Sequence, residues 1–199
     1  MGPTLTARRA ALAGVAGPLG FLAVSFTMAV MRPELIRAQG WASWPSSMAL
    51  GGAAGVPQIL AFLWLAACYP VFALGALRPV LGVPAAWGGF LGVAAGDVLL
   101  AFPTDAPGAG TSWHGTLHLA GVLVATAATV VAAVGVTAAT WDRSRWRPWR
   151  RLGAPVVAAG VLIGLLGGFD QGWAKVAYVL GITLPIPMIA MLVRREATT

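Results

Sequence analysis

The stretch from Leu117 to Thr140 contains no Asp, Glu, Lys or Arg, and it is longer than the about 20 apolar residues a helix needs to cross the hydrocarbon core of a bilayer. Backbone in that medium has to satisfy its own hydrogen bonds, so such a run folds as a helix. Five further stretches are mostly apolar over a comparable length, giving spans at roughly 11–31, 55–77, 83–103, 117–140, 152–170 and 174–193. Composition agrees: 58% of residues are apolar and 10% charged, with a mean hydropathy of +0.81, where a soluble domain carries about 25% charged residues. A water-soluble globule and a disordered chain are both excluded. The single Cys68 permits no intrachain disulfide framework. The expectation is an all-α polytopic membrane protein, one six-helix transmembrane bundle over residues 1–199. Arg8 and Arg9 precede the first span as they would a signal peptide, but the apolar run is too long and lacks a small-x-small exit, so it reads as a retained helix.

Six spans place both termini on one side. Arg8, Arg9, Arg78, Arg143, Arg145, Arg147, Arg150, Arg151, Arg194 and Arg195 fall in the termini and even loops, against Arg32, Arg37 and Lys175 in the odd loops. The positive-inside rule then puts the termini in the cytoplasm and the chain in the cell membrane, multi-pass. The net charge of +7 reads as topology and contact with anionic membrane lipids. The aromatic-basic run from Trp141 to Arg151 is an interfacial anchor, and no nucleic-acid partner is expected. Glu34, Asp105 and Asp170 fall at the outer boundary, whereas Asp97 lies inside the third span, about 8 Å below its outer end at the helical rise.

Small residues indicate how the helices meet. Gly88, Gly92 and Gly96 recur in the third span and Gly160, Gly164 and Gly168 in the fifth, each a stripe for close backbone approach. Asp97 follows Gly96 and so belongs beside the packed interior, within reach of a polar partner, His118 or Gln58. Pro70 and the pair Pro185 and Pro187 predict kinks, because a mid-span Pro removes a backbone bond that neighbours must replace. No internal repeat relates the first three spans to the last three.

The most informative segment runs Phe102-Pro-Thr-Asp105-Ala-Pro-Gly, then Thr111-Ser-Trp-His114-Gly-Thr-Leu-His118. It reads as a tight outer turn, in which Thr104 or Asp105 caps backbone hydrogens, followed by the entry into the fourth helix. His114 and His118, four apart, share a face of that helix. With Arg32-Pro33-Glu34, Ser47-Met-Ala-Leu-Gly51, Gly55, Gln58 and Phe62 in the first loop and second span, and Gly168-Phe-Asp-Gln171 before the sixth, this pattern resembles a bacterial six-helix membrane family, the domain of unknown function 998. The resemblance covers nearly the whole chain and is strongest from Asp105 to His118. The chain departs from it in lacking the Tyr and His that commonly follow Arg-Pro, and in having Gly172 after Gln171 where the family usually has a basic residue. The resemblance implies a six-helix fold and no activity.

The polar residues converge on one end of the bundle: Gln58, Asp97, His114, His118, Asp170 and Gln171 all fall in or just above the outer third. Trp41, Trp44, Trp113 and Trp173 lie at the same level and read as an aromatic belt. An intramembrane carboxylate marks function. His114 and His118 with Asp97 or Asp105 are the most a metal site could use, and no Gly-x-Ser-x-Gly turn supports a serine nucleophile. No metal and no cofactor is therefore expected. The leading expectation is an enzyme with no redox step, in which Asp97 or Asp105 protonates a terpenoid or lipid-like substrate for cyclisation or isomerisation, aided by His118. Glu34, Gln58, Trp113, His114 and Trp173 would bind that lipophilic small molecule, with aromatic faces stabilising cationic intermediates. A small proton- or cation-coupled transporter and a packing or sensing protein are the alternatives, and association into a homo-oligomer is left open.

Overall fold

In a computed structural model the described residues are 3–41, 44–106, 110–167 and 172–197, with the side chains of Pro3, Thr4 and Gln39 set aside. These residues are helical and contain no strand. Five helical segments are long and apolar enough to cross a membrane: Leu5–Met31, Gly52–Leu81, Trp113–Ala139, Ser144–Gly167 and Gly172–Glu196. The fold is that of an all-α polytopic membrane protein.

The helices are α1 (Pro3–Ala10), α2 (Ala13–Met31), α3 (Pro33–Gln39), α4 (Val56–Phe72), α5 (Arg78–Leu81), α6 (Pro84–Leu100), α7 (Trp113–Ala139), α8 (Ala154–Gly167), α9 (Gly172–Thr183) and α10 (Pro185–Glu196). The expected third span is shorter than predicted. Its 17 residues extend about 26 Å at the helical rise, a few ångströms less than a hydrocarbon core of about 30 Å. Two prolines set the limits: Pro84 opens the helix, and Pro103 drives Phe102 out of the helical region. Proline also shapes two other spans. The chain widens into a π turn at Ala73–Leu77, three residues after Pro70, before α5 completes the second span. In the last span a break at Leu184 separates α9 from α10, with Pro185 in the first turn of the new helix, where its missing N–H costs nothing.

The most extensive helix contact is between α6 and α7, and it rests on backbone approach. A Cβ on Gly96 would lie 2.6 Å from the Ala125 nitrogen, and one on Gly89 2.6 Å from the Ala132 nitrogen. The stripe on α6 is thus Gly89, Gly92 and Gly96. Gly88, expected in it, faces open space, because the 3.6-residue turn carries strict fours off the contact line. Between α8 and α9, Gly160 meets Gly181 and Gly164 meets the Tyr178 ring. Gly168, Asp170 and Gln171 lie outside the described residues.

Candidate functional site

A narrow internal cavity of about 60 Å³ lies among α2, α4, α6, α7, α9 and α10, roofed by Pro45 and Ser46. Its wall is mainly apolar, with Phe21, Phe62, Leu65 and Val93 prominent, and a few polar groups converge on it: Asp97, Lys175, Tyr69, Tyr178 and Thr129. Asp97 is 4% exposed, and its Oδ2 has no hydrogen-bond partner among the described residues. The glycine stripe explains the placement. Gly96 holds α6 against α7, and the next residue turns inward from that seam. The Thr126 hydroxyl donates to the Val122 carbonyl, so the Tyr178 hydroxyl is the donor in its 2.5 Å bond to Thr126 Oγ1.

Neither His118 nor Gln58, the expected partners of Asp97, bonds to it. His118 Nδ1 meets the Phe102 carbonyl at 2.8 Å and Nε2 meets Ser46 Oγ at 2.9 Å. The carbonyl can only accept, so Nδ1 carries the proton, and in the neutral ring Nε2 accepts from the Ser46 hydroxyl. His118 therefore stands behind the cavity wall, touching Ser46 and, edge to face, Phe62. Gln58 Nε2 donates to Ser25 Oγ at 3.0 Å, and Trp44 Nε1 donates to the Ser25 carbonyl at 3.1 Å. Trp44, expected in the aromatic belt, is instead fully buried, because this bond folds it beneath the loop.

The first-loop landmarks build that roof. Arg32 Nη1 donates to the carbonyls of Met48 and Leu50, at 3.2 and 2.6 Å, latching the helical turn Ser46–Ala49 over the bundle end. Gly51 adopts a left-handed φ of +88°, and a Cβ on Gly55 would collide with the Ala49 carbonyl. Glu34, expected to bind substrate, lies at the surface beside Arg32, with Nε–Oε1 at 3.5 Å, and does not line the cavity.

Asp105 and His114 form a separate clamp at the head of α7. Asp105 Oδ2 accepts from the Ser112 N–H at 3.1 Å and Oδ1 from the Ser112 hydroxyl at 2.5 Å. Ser112 Oγ in turn accepts from the Gly115 N–H at 3.0 Å and caps the helix, which is why α7 begins at Trp113, earlier than apolarity alone predicts. A Cβ on Gly115 would strike the Asp105 carboxylate. His114 Nδ1 lies 3.0 Å from the Pro103 carbonyl. The two hydrogen bonds from Ser112 hold the Asp105 carboxyl below its ordinary range. Asp105 is thus a carboxylate that closes a turn and is outside the cavity, so the outer acid is not placed to donate a proton there. Trp113 and Trp173 are 69% and 62% exposed, on the outside of the bundle rather than against the cavity. Among the described residues no three His, Cys, Asp or Glu side chains gather as metal ligands.

Sequence reasoning missed Lys175, Tyr69 and Tyr178. Lys175 reads as a loop cation, but α9 begins at Gly172, so it occupies the first turn and lines the cavity. Two signals were present. Lys175 is the chain's single lysine, every other basic residue being arginine, and it stands three residues before Tyr178, on the same helix face. No family model, curated protein or solved structure matches this chain.

Proposed function

We propose that the chain is an integral membrane enzyme that isomerises a lipophilic, terpenoid or lipid-like substrate by proton transfer, with Asp97 as the acid. The observation that carries this reading is the buried Asp97, its Oδ2 unpartnered among the described residues, facing a mainly apolar cavity. A few convergent polar groups in an apolar wall are the general pattern of small-molecule sites. Size narrows the chemistry. A cavity of about 60 Å³ admits the reactive end of a linear chain, and isomerisation there asks for less room than closing rings on a whole terpenoid.

The step balances without a cofactor. Asp97 in its acid form gives its proton to one carbon of a double bond, whose π electrons form the new C–H bond and leave a cation on the neighbouring carbon. The resulting carboxylate removes a proton from the carbon beyond, which creates the shifted double bond and restores the acid. The rings of Tyr69, Phe21 and Phe62 line the cavity and would stabilise the cation by their quadrupoles. His118 would act as a positioning residue through Ser46 and Phe62. A proton or cation path is less well supported: the smaller void beyond Val93 is walled mainly by apolar residues such as Phe90, Ala132, Pro185 and Ile189, with Thr129 and Trp149 as its polar groups and no ionisable side chain to carry a relay. The resemblance to the family of unknown function adds a fold and leaves the activity to the site.

Deuterium labelling tests this. Purified protein in nanodiscs is incubated with a polyprenyl alcohol mixture in heavy water, and the lipids are analysed by mass spectrometry. Wild type should exchange deuterium into the alkene. Asp97→Asn should lower the rate by about 10²–10⁴, the usual contribution of a positioned acid, with an unchanged melting temperature, and Asp105→Asn should retain it. If Asp97→Asn labels at the wild-type rate the reading fails, and if the double variant with Asp105→Asn does so as well, neither carboxylate is the acid.

A further inference from the structure

A second opening lies on the outside of the bundle, away from the cavity. Between α7 and α8, at their arginine-rich end, lies an open apolar groove of about 610 Å³, walled by Val130, Val134 and Trp141 on one side and Ala154, Ala158 and Leu162 on the other. From Val130 to Trp141 the groove runs about 16 Å at the helical rise, close to half of a hydrocarbon core of about 30 Å. Its length thus matches one leaflet.

The mouth of the groove carries fixed positive charge. The Arg150 guanidinium carbon lies 6.0 Å from the centre of the Trp141 ring, and Nη1 donates to the carbonyls of Thr140 at 2.6 Å and Arg143 at 3.2 Å. Those bonds fix the group while leaving other guanidinium N–H donors for an external acceptor. Arg151 follows, exposed, one turn before the groove wall at Ala154. Arg143, by contrast, is already paired with Glu196 at 3.0 Å.

We infer that this groove is a binding site for one anionic phospholipid, with an acyl chain along α7 and α8 and the phosphate received by Arg150 and Arg151. An apolar slot of one-leaflet length that ends at an immobilised guanidinium matches both halves of such a lipid. Arginine suits phosphate because its planar fork donates in pairs. A zwitterionic lipid offers the same chain with no net charge, so headgroup preference separates a built site from ordinary lipid contact.

Native mass spectrometry of the detergent-purified chain, titrated with phosphatidylglycerol or with phosphatidylcholine of identical acyl chains, reads this directly. One phosphatidylglycerol per chain should be retained, with a preference over phosphatidylcholine of about thirtyfold, the scale expected from two arginines near a net anionic headgroup. Arg151→Gln, at an exposed position, should reduce that preference several-fold without altering the melting temperature, and Arg150→Gln should reduce it further. Val134→Trp should fill the slot and lower retention of both lipids. Equal retention of the two lipids by wild type, or a preference untouched by Arg151→Gln in a folded variant, overturns the proposal.

Discussion

Asp97 and Asp105 lie at the same end of the bundle and have opposite surroundings. Asp105 receives two hydrogen bonds from Ser112 and is held as a carboxylate, whereas Asp97 Oδ2 meets no donor among the described residues. The difference has a pH signature. Because the folded state lowers the Asp105 pKa from its ordinary 3.8, the clamp contributes its full stability above that value, and the contribution is lost as pH falls through the lower folded one. Melting temperatures in detergent at pH 6 and pH 3 should therefore show a drop for wild type that is smaller for Asp105→Asn. Equal drops in the two proteins would remove the clamp as a source of stability. Ser112→Ala removes the helix cap and both groups' shared hydroxyl, and should cost about 1–2 kcal/mol at neutral pH.

At the scale of helices, the α6–α7 seam ties the glycine pattern to the position of the site. A Cβ on Gly96 would press on the Ala125 backbone at 2.6 Å, while one on Gly88 would meet nothing within 4 Å. Gly96→Ala should therefore lower the melting temperature, by an overpacking cost of about 1–3 kcal/mol. Gly88→Ala should leave it unchanged or raise it, since Ala is about 1 kcal/mol the better helix former. Equal effects from the two substitutions would mean that the helices do not meet along this line. The contrast also shows where the sequence was readable. Long apolar runs determine helices in a membrane almost alone, so five of the spans and the inward Asp97 followed from local residues. The Gly88 register, the burial of Trp44 and the arrival of Lys175 at the cavity depend on how separate helices rotate and where α9 begins. Those are tertiary choices that no single segment encodes. The Asp105–Ser112 clamp falls between these cases: the turn was legible, but the carboxylate's commitment to Ser112 was visible only once the two residues were brought face to face.

Over the whole molecule, the charges and the cavity divide the bundle into two unlike ends. Arg143 and Trp146 both bond to Glu196, at 3.0 and 3.1 Å, so the basic loop after α7 is tied to the end of α10. The cavity, the Arg32 latch and the Asp105 clamp all lie at the opposite end. The excess of arginine at the first end leads, by the positive-inside rule, to the expectation that it faces the cytoplasm, which would open the cavity toward the outer leaflet and the lipid groove toward the inner one. Cys68 is buried and is the single cysteine, so a Cys68→Ala background suits site-directed labelling. A cysteine at Gly110, exposed in the loop before α7, should react with an impermeant maleimide on intact cells. One at Ser144, exposed in the basic loop, should react only after the membrane is opened. The reverse pattern would turn the molecule over, moving the proposed isomerisation site to the cytoplasmic leaflet and the phospholipid groove to the outer one, while leaving the internal geometry of each intact.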